Sequence, residues 1–137
     1  MSRPRLLVVD DHHMLREALV ELLVQAGFDV VGEAGDGADA VALAKQLDPD
    51  VVLMDLRMPV LSGLDAAPLI REACPTTQVV LLSAFESPAL ERQAREAGCF
   101  AYLVKGGTPG NLRQVLHRAV ACRRALLASP GSPAGDF

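Results

Sequence analysis

Five short apolar runs, at residues 5–9, 28–32, 50–54, 78–83 and 100–104, alternate along the chain with segments of helical period. Four of them are nearly continuous in Val and Leu, as in Leu6-Leu7-Val8-Val9 and Val51-Val52-Leu53-Met54. A strand wet on one face alternates apolar and polar residues, whereas a continuous run fits a strand buried on both faces of a parallel sheet. Parallel strands need crossovers, and the intervening segments supply helices for them. Leu15, Ala18, Leu19, Leu22 and Leu23 form the first stripe, closed by Gly27 as a C′ glycine. Ala40, Val41, Ala44 and Leu47 form the second, after a turn at Gly35-Asp36-Gly37, and Leu64, Leu69 and Ile70 belong to the third. Ser87-Pro88 and Thr108-Pro109 open the fourth and fifth, the latter carrying Leu112, Val115, Leu116 and Ala119. Each pairs an N-cap hydroxyl with a proline at the first helical position, where no hydrogen bond is lost. The pattern predicts an α/β fold: a five-stranded parallel sheet with right-handed crossovers and helices on both faces.

Two features stand apart from this pattern. Pro68 falls inside the third helical stripe, where an interior proline costs on the order of 3 kcal/mol. Either that helix kinks there, or it starts later than Leu64 suggests. From about Ala128 the composition turns to Ser129-Pro130-Gly131-Ser132-Pro133-Ala134-Gly135, which suits a free tail or a tether to a second domain.

A chain of 137 residues corresponds to one domain. Half of it is hydrophobic, yet it has no Trp, one Tyr and four Phe, so the core must be aliphatic. The net charge of −4 argues against a nucleic-acid-binding surface, which needs clustered Lys and Arg. Cys74, Cys99 and Cys122 are odd in number, widely spaced and outside any CxxC pair, which fits inert thiols in a reducing compartment. No apolar stretch approaches the roughly 20 residues of a membrane span, and the N-terminus carries no signal-peptide core, so the expected location is the cytoplasm.

The ends of the apolar runs carry the chemistry. Ligands of parallel α/β sheets sit at the carboxyl ends of the strands. Asp10 and Asp11 follow the first run, Asp55 ends the third, Ser83 ends the fourth and Lys105 follows the fifth. Taken singly, each has a plain explanation: Asp11 as a helix cap, Asp55 as a turn residue before Pro59, Ser83 as a turn hydroxyl, Lys105 as a solvated charge. Their joint placement at one edge of one sheet points instead to phosphoryl chemistry. A carboxylate attacks a phosphoryl group only when the repulsion between anions is neutralised, and Mg²⁺ held by one or two carboxylates and waters does this. Asp10 and Asp11 would hold the metal, Asp55 would be the nucleophile, and Lys105 and Ser83 would meet phosphoryl oxygens. Positioning and electrostatics supply most of the catalysis in such transfers, so few groups are needed.

With these residues in place, the chain resembles the receiver domain of two-component response regulators over roughly residues 4–127. The matching pieces are Val8-Val9-Asp10-Asp11, Val52-Leu53-Met54-Asp55 with Met58-Pro59, Leu82-Ser83-Ala84, and Tyr102-Leu103-Val104-Lys105 after Gly98. Gly32-Glu33-Ala34-Gly35-Asp36-Gly37 and Pro49-Asp50-Val51-Val52 look like the subfamily whose receivers precede a helix-turn-helix DNA-binding domain. The resemblance implies a flavodoxin-like strand order 2-1-3-4-5, with a receiver over 1–127 and a linker or tail over 128–137. It implies that Asp55 accepts a phosphoryl group from a sensor histidine kinase, and that Asp10, Asp11, Asp55 and the Arg57 carbonyl bind Mg²⁺. It further implies that Ser83 and Lys105 contact the phosphoryl group, that Tyr102 is an aromatic rotor coupled to Ser83, and that Arg57 and Phe85 tune phosphoryl lifetime. The implied output acts by a change around helix four, strand five and helix five; it is transcriptional if a helix-turn-helix domain follows this chain, and without one the chain is a stand-alone relay. Whether phosphorylation drives homodimerisation through helices four and five stays open.

The chain also departs from the family pattern. Gly106-Gly107 follows the lysine where relatives often carry proline, so a cis bond at Lys105-Gly106 is not implied. Phe100 replaces a usually polar residue and reads equally as core or as partner surface. His12 and His13, beside the acidic pair, read as variable surface positions. A competing class is a phosphohydrolase with an aspartyl nucleophile acting on an external substrate. Such enzymes usually place a second Asp two residues after the first, where this chain has Arg57. A nucleotide-triphosphatase reading of Val51–Asp55 lacks the G-x-x-x-x-G-K-[ST] loop it needs.

Overall fold

The computed structural model describes residues 2–128 of the chain. Its elements are β1 (Arg5–Val9), α1 (His13–Gln25), β2 (Asp29–Ala34), α2 (Gly37–Leu47), β3 (Val51–Asp55), α3 (Gly63–Ala73), β4 (Gln78–Ser83), α4 (Pro88–Glu96), β5 (Ala101–Val104) and α5 (Pro109–Ala128). The strands form one sheet in the order β2-β1-β3-β4-β5, and every neighbouring pair is parallel. This is the predicted architecture and strand order.

The continuous apolar runs are buried because the sheet has a core on each face. Leu7, Val9, Val52, Met54, Val79 and Leu81 point to one side, packing with Ala40, Ala44, Ala66, Ala67 and Ile70 of α2 and α3. Leu6, Val8, Val51, Leu53, Val80 and Leu82 point to the other, packing with Leu23 of α1 and Leu116 and Ala119 of α5. Every residue of β3 and β4 is buried. β2 is an edge strand, only partly buried, and it begins one residue after the 28–32 run and ends two residues beyond it. Phe28 lies outside the strand and is buried in the second core, its ring 4.7 Å from that of His117.

The helix starts follow the capping chemistry. Asp36, Ser62 and Ser87 accept from the backbone N–H of Asp39, Asp65 and Leu90, and the Thr108 hydroxyl accepts from Asn111 N–H. Helix α1 differs: its N-cap residue is His12 with no side-chain cap bond, so Asp11 is not spent on capping. Gly27 closes α1 at φ +96°, the left-handed conformation that glycine adopts most readily.

Helix α3 begins at Gly63, so it does not start after Leu64, and Pro68 sits inside it. Proline has no N–H to offer the Leu64 carbonyl one turn earlier. Pro68 itself is exposed, on the outer face of the helix. Phe100 is half-buried and packs against the α1/α5-side core. No cis peptide bond occurs among the described residues, and Gly106 takes φ +83°. Helix α5 reaches Ala128, one residue past the expected boundary; the linker expected over the remaining residues lies outside the described ones. Among the described residues no helix is long and apolar enough to cross a membrane.

Candidate functional site

Strand register alone brings the loaded residues together. Val9 pairs with Met54, so the next residues, Asp10 and Asp55, lie side by side at the carboxyl edge. Asp55 pairs with Leu82 and Ser83 with Val104, which sets Ser83 and Lys105 along the same edge. Backbone bonds continue past the strand ends: Asp10 N–H donates to Ala34 O (3.1 Å), Leu56 N–H to Leu82 O (2.8 Å) and Lys105 N–H to Ser83 O (2.7 Å). The site therefore stands on the rigid part of the fold.

A close approach supports it from below. A Cβ on Gly63 would lie 2.3 Å from the Asp55 carbonyl oxygen, so only glycine fits where α3 begins. Gly63 N–H in turn donates to Leu56 O at 2.8 Å, closing the β3–α3 loop.

At the edge, Asp10 and Asp55 are buried while Asp11 is exposed. Lys105 Nζ lies 3.0 Å from Asp55 Oδ2 and 3.4 Å from Asp10 Oδ2. Burial pushes the Asp55 carboxyl above the usual carboxylate range. The Lys105 ammonium opposes this, nearby Asp10 adds to it, and a hydrogen bond from the Arg57 backbone opposes it. Burial alone would lower the Lys105 ammonium; its contacts with Asp55 and Asp10 outweigh that and raise it. Lys105 thus stays a full positive charge beside two buried carboxylates.

One oxygen each from Asp10, Asp11 and Asp55, with a ring nitrogen of His12, lie within 4.8 Å of one another. Hard carboxylate oxygens with one side open to solvent fit a divalent cation that keeps several waters. The sequence reads His12 as a variable surface position. It is exposed, but its Nδ1 lies 3.3 Å from Asp11 Oδ1 and 3.5 Å from Asp10 Oδ1, and its backbone N–H donates to Asp10 Oδ1 at 2.9 Å. His13 turns away to Glu17.

The remaining predicted residues form a chain leading out of the site. Ser83 Oγ accepts from Phe85 N–H at 3.1 Å, and the Tyr102 hydroxyl donates to the Phe85 carbonyl. Phe85 is thus the backbone link between Ser83 and Tyr102, a role that no local sequence signal marks. The exposed Phe85 ring lies 5.8 Å from the Arg57 guanidinium carbon, a cation–π stack joining the two residues expected to tune phosphoryl lifetime.

The sequence profile of the response regulator receiver domain family matches residues 6–117. The chain is 40% identical over 130 residues to the transcriptional regulatory protein PdtaR of Mycobacterium tuberculosis, covering 95% of this chain and 63% of that protein. It is 37% identical over 122 residues to the nitrate/nitrite response regulator protein NarL of Escherichia coli, covering 88% of this chain and 56% of that protein. A solved structure of the signal receiver domain of a NarL response regulator from Mycobacterium tuberculosis aligns with a TM-score of 0.78 at 36% identity, covering 90% of this chain and 98% of that one. The fold and the acidic edge are those of receiver domains, a class of signalling switches. This chain belongs to the response regulator receiver domain family. It spans between half and two-thirds of the length of these curated relatives.

Proposed function

We propose that the chain is a phosphorylation-dependent signalling switch in which Asp55 accepts a phosphoryl group from a sensor histidine kinase. The observation that carries this reading is the contact of one ammonium, Lys105 Nζ, with the carboxylates of both Asp55 and Asp10 beside Asp11. An Asp55 carboxylate oxygen attacks the phosphorus of a phosphohistidine. The P–N bond breaks, its electron pair leaves with the imidazole, and an acyl phosphate forms on Asp55. Mg²⁺ held by Asp10, Asp11, Asp55 and the Arg57 carbonyl would screen the charge that builds between the anions. Lys105 neutralises another phosphoryl oxygen, and its raised affinity for its proton keeps it cationic throughout.

Ser83 then gains a partner: its O–H turns to donate to a phosphoryl oxygen while its oxygen keeps accepting from the Phe85 N–H. Phe85 moves with it and takes along the carbonyl that holds the Tyr102 hydroxyl, so Tyr102 is released to turn inward. Local charge chemistry in this way biases a two-state element over α4, β5 and α5. Arg57 and Phe85, stacked on each other beyond the acceptor, limit the approach of water and so set how long the acyl phosphate lasts.

Residues 1–127 would constitute the receiver, with 128–137 as the tether to a DNA-binding output in the cytoplasm, in keeping with the transcriptional relatives. Beryllofluoride with Mg²⁺ is the direct test. Chemical shifts of Ser83, Phe85 and Tyr102 should change together, and the change should vanish in Asp55→Asn. Shifts confined to Asp10, Asp11 and Asp55 would contradict the switch.

A further inference from the structure

An acid stands at the carboxyl end of β3 and another just before its start, and each pairs with a basic residue near one end of α5. At the carboxyl end Asp55 meets Lys105, in the loop leading into α5. Immediately before the strand, Asp50 meets Arg123, near the other end of α5. The two ends are held very differently.

At the far end, the Arg123 guanidinium is buried and each of its nitrogens is used. Nη1 donates to Asp50 Oδ1 (3.1 Å), Nη2 to Asp48 Oδ2 (2.9 Å) and Nε to Thr76 Oγ1 (3.3 Å). The other Asp50 oxygen accepts from Arg5 N–H (2.9 Å) and Arg124 Nη2 (3.3 Å). One helix turn is thereby tied to the start of β1, the α2–β3 connection and the α3–β4 connection. The planar fork of Arg makes this possible; a lysine has one point of attachment.

At the near end, the Lys105–Thr108 loop runs through Gly106 in a left-handed conformation, and Gly106, Gly107 and Thr108 are exposed. A cavity of about 210 Å³ opens between this end of α5 and α1, lined by Leu15, Leu19, Leu103 and Leu112 among others. Close-packed interiors resist displacement, and a helix end beside this solvent-open groove has no packed neighbour on that side to resist it.

We propose that Arg123 with Asp50 is the fixed pivot of α5. When the group on Asp55 changes, the loosely packed end of the helix moves into or away from the cavity while the Arg123 turn stays in place. Arg123 lies about 21 Å of helix from Pro109 and about 8 Å from Ala128 at 1.5 Å per residue. Motion at the site end therefore reaches Ala128 as a change of direction rather than a translation, and this turns whatever the chain leads into. Arg123 is a positioning residue here, and the inference rests on the phosphorylation reading given above.

Hydrogen exchange by mass spectrometry, with and without Mg²⁺ and beryllofluoride, tests it on the full chain. In the parent protein the mimic should change exchange over 105–116 by about threefold or more and leave 120–128 essentially unchanged. In Arg123→Met the mimic-dependent change should spread into 120–128. It should do so in Arg123→Lys as well, which keeps the charge, loses the fork and covers the case in which the Met variant does not fold. If 120–128 in the parent responds as strongly as 105–116, the pivot is wrong and the switch stands. If the variants exchange faster over 120–128 to the same extent with and without mimic, Arg123 is only structural and the pivot is wrong. A mimic that changes no segment of the parent defeats the switch reading, and the pivot with it.

Discussion

Lys105 reaches across the carboxyl edge of the sheet to place its ammonium 3.0 Å from Asp55 Oδ2, although fifty positions separate the two residues in the chain. The contact comes from parallel register, because Asp55 ends β3 and Lys105 follows β5 with β4 between them. It places a cation beside the proposed nucleophile before any phosphoryl group arrives, so the site is preorganised for the charge it will receive.

Preorganised charge works against the fold. Burial raises the Asp55 pKa despite Lys105, so the folded state holds the Asp55 proton more tightly than the unfolded chain does. Ionised Asp55 therefore opposes folding at neutral pH, and that opposition fades as pH falls through the raised folded value toward the unfolded one. Asp55→Asn should melt at a higher temperature than the parent at pH 7 without Mg²⁺, with the gap narrowing on acidification. Equal melting temperatures across the range would refute this.

Mg²⁺ should reverse part of that penalty. At ten times its dissociation constant a ligand specific to the native state stabilises by about 1.4 kcal/mol. Thermal melts of the parent should rise accordingly on Mg²⁺ addition, while Asp11→Ala and Asp55→Asn should lose most of the rise. An unchanged response in Asp11→Ala would remove that residue from the metal site.

Asp50 carries the opposite sign. Burial alone would raise its pKa, but the Arg5 N–H, Arg123 and Arg124 together lower it. A lowered carboxylate contributes stability that is present above the unfolded value of about 3.9 and is lost as pH falls through it toward the folded value. Acid titration of stability should show a steeper loss below about pH 4 in the parent than in Asp50→Asn, which starts from a lower stability at pH 7.

Val60, in the β3–α3 loop, has φ +68° and is 82% exposed. A β-branched residue there is strained by on the order of 1–2 kcal/mol, with no packing to compensate. Val60→Gly should stabilise the domain by roughly 0.5–1 kcal/mol after glycine's greater chain entropy is subtracted. Denaturant titration reads the difference, and a destabilised glycine variant would contradict the strain.

The parts of this molecule that are written locally are those the sequence displays. Continuous Val and Leu mark β1, β3 and β4 because both their faces are covered, and Ser87 and Thr108 mark helix starts because capping is a short-range bond. The carboxyl-edge acids are legible for the same reason: each one ends or follows a buried run. Non-local features are hidden. Arg123 looks like one of many helix-surface arginines until α5 passes the N-terminal edge of the sheet and meets Asp50, seventy-three positions away. The link through the Phe85 backbone is silent because it uses a main-chain N–H and carbonyl that any residue would supply. Pro68 is ambiguous in sequence, and the exposed face of α3 accommodates it without delaying the helix start.

The central claim is that Asp55 is the phosphoryl acceptor, and intact-mass spectrometry after incubation with a small phosphodonor and Mg²⁺ tests it most directly. The account predicts the mass of one added phosphoryl group, dependent on Mg²⁺, removed by hydroxylamine as an acyl phosphate should be, and absent in Asp55→Asn. A parent protein that gains no mass, or an Asp55→Asn variant that gains the same mass as the parent, would contradict it.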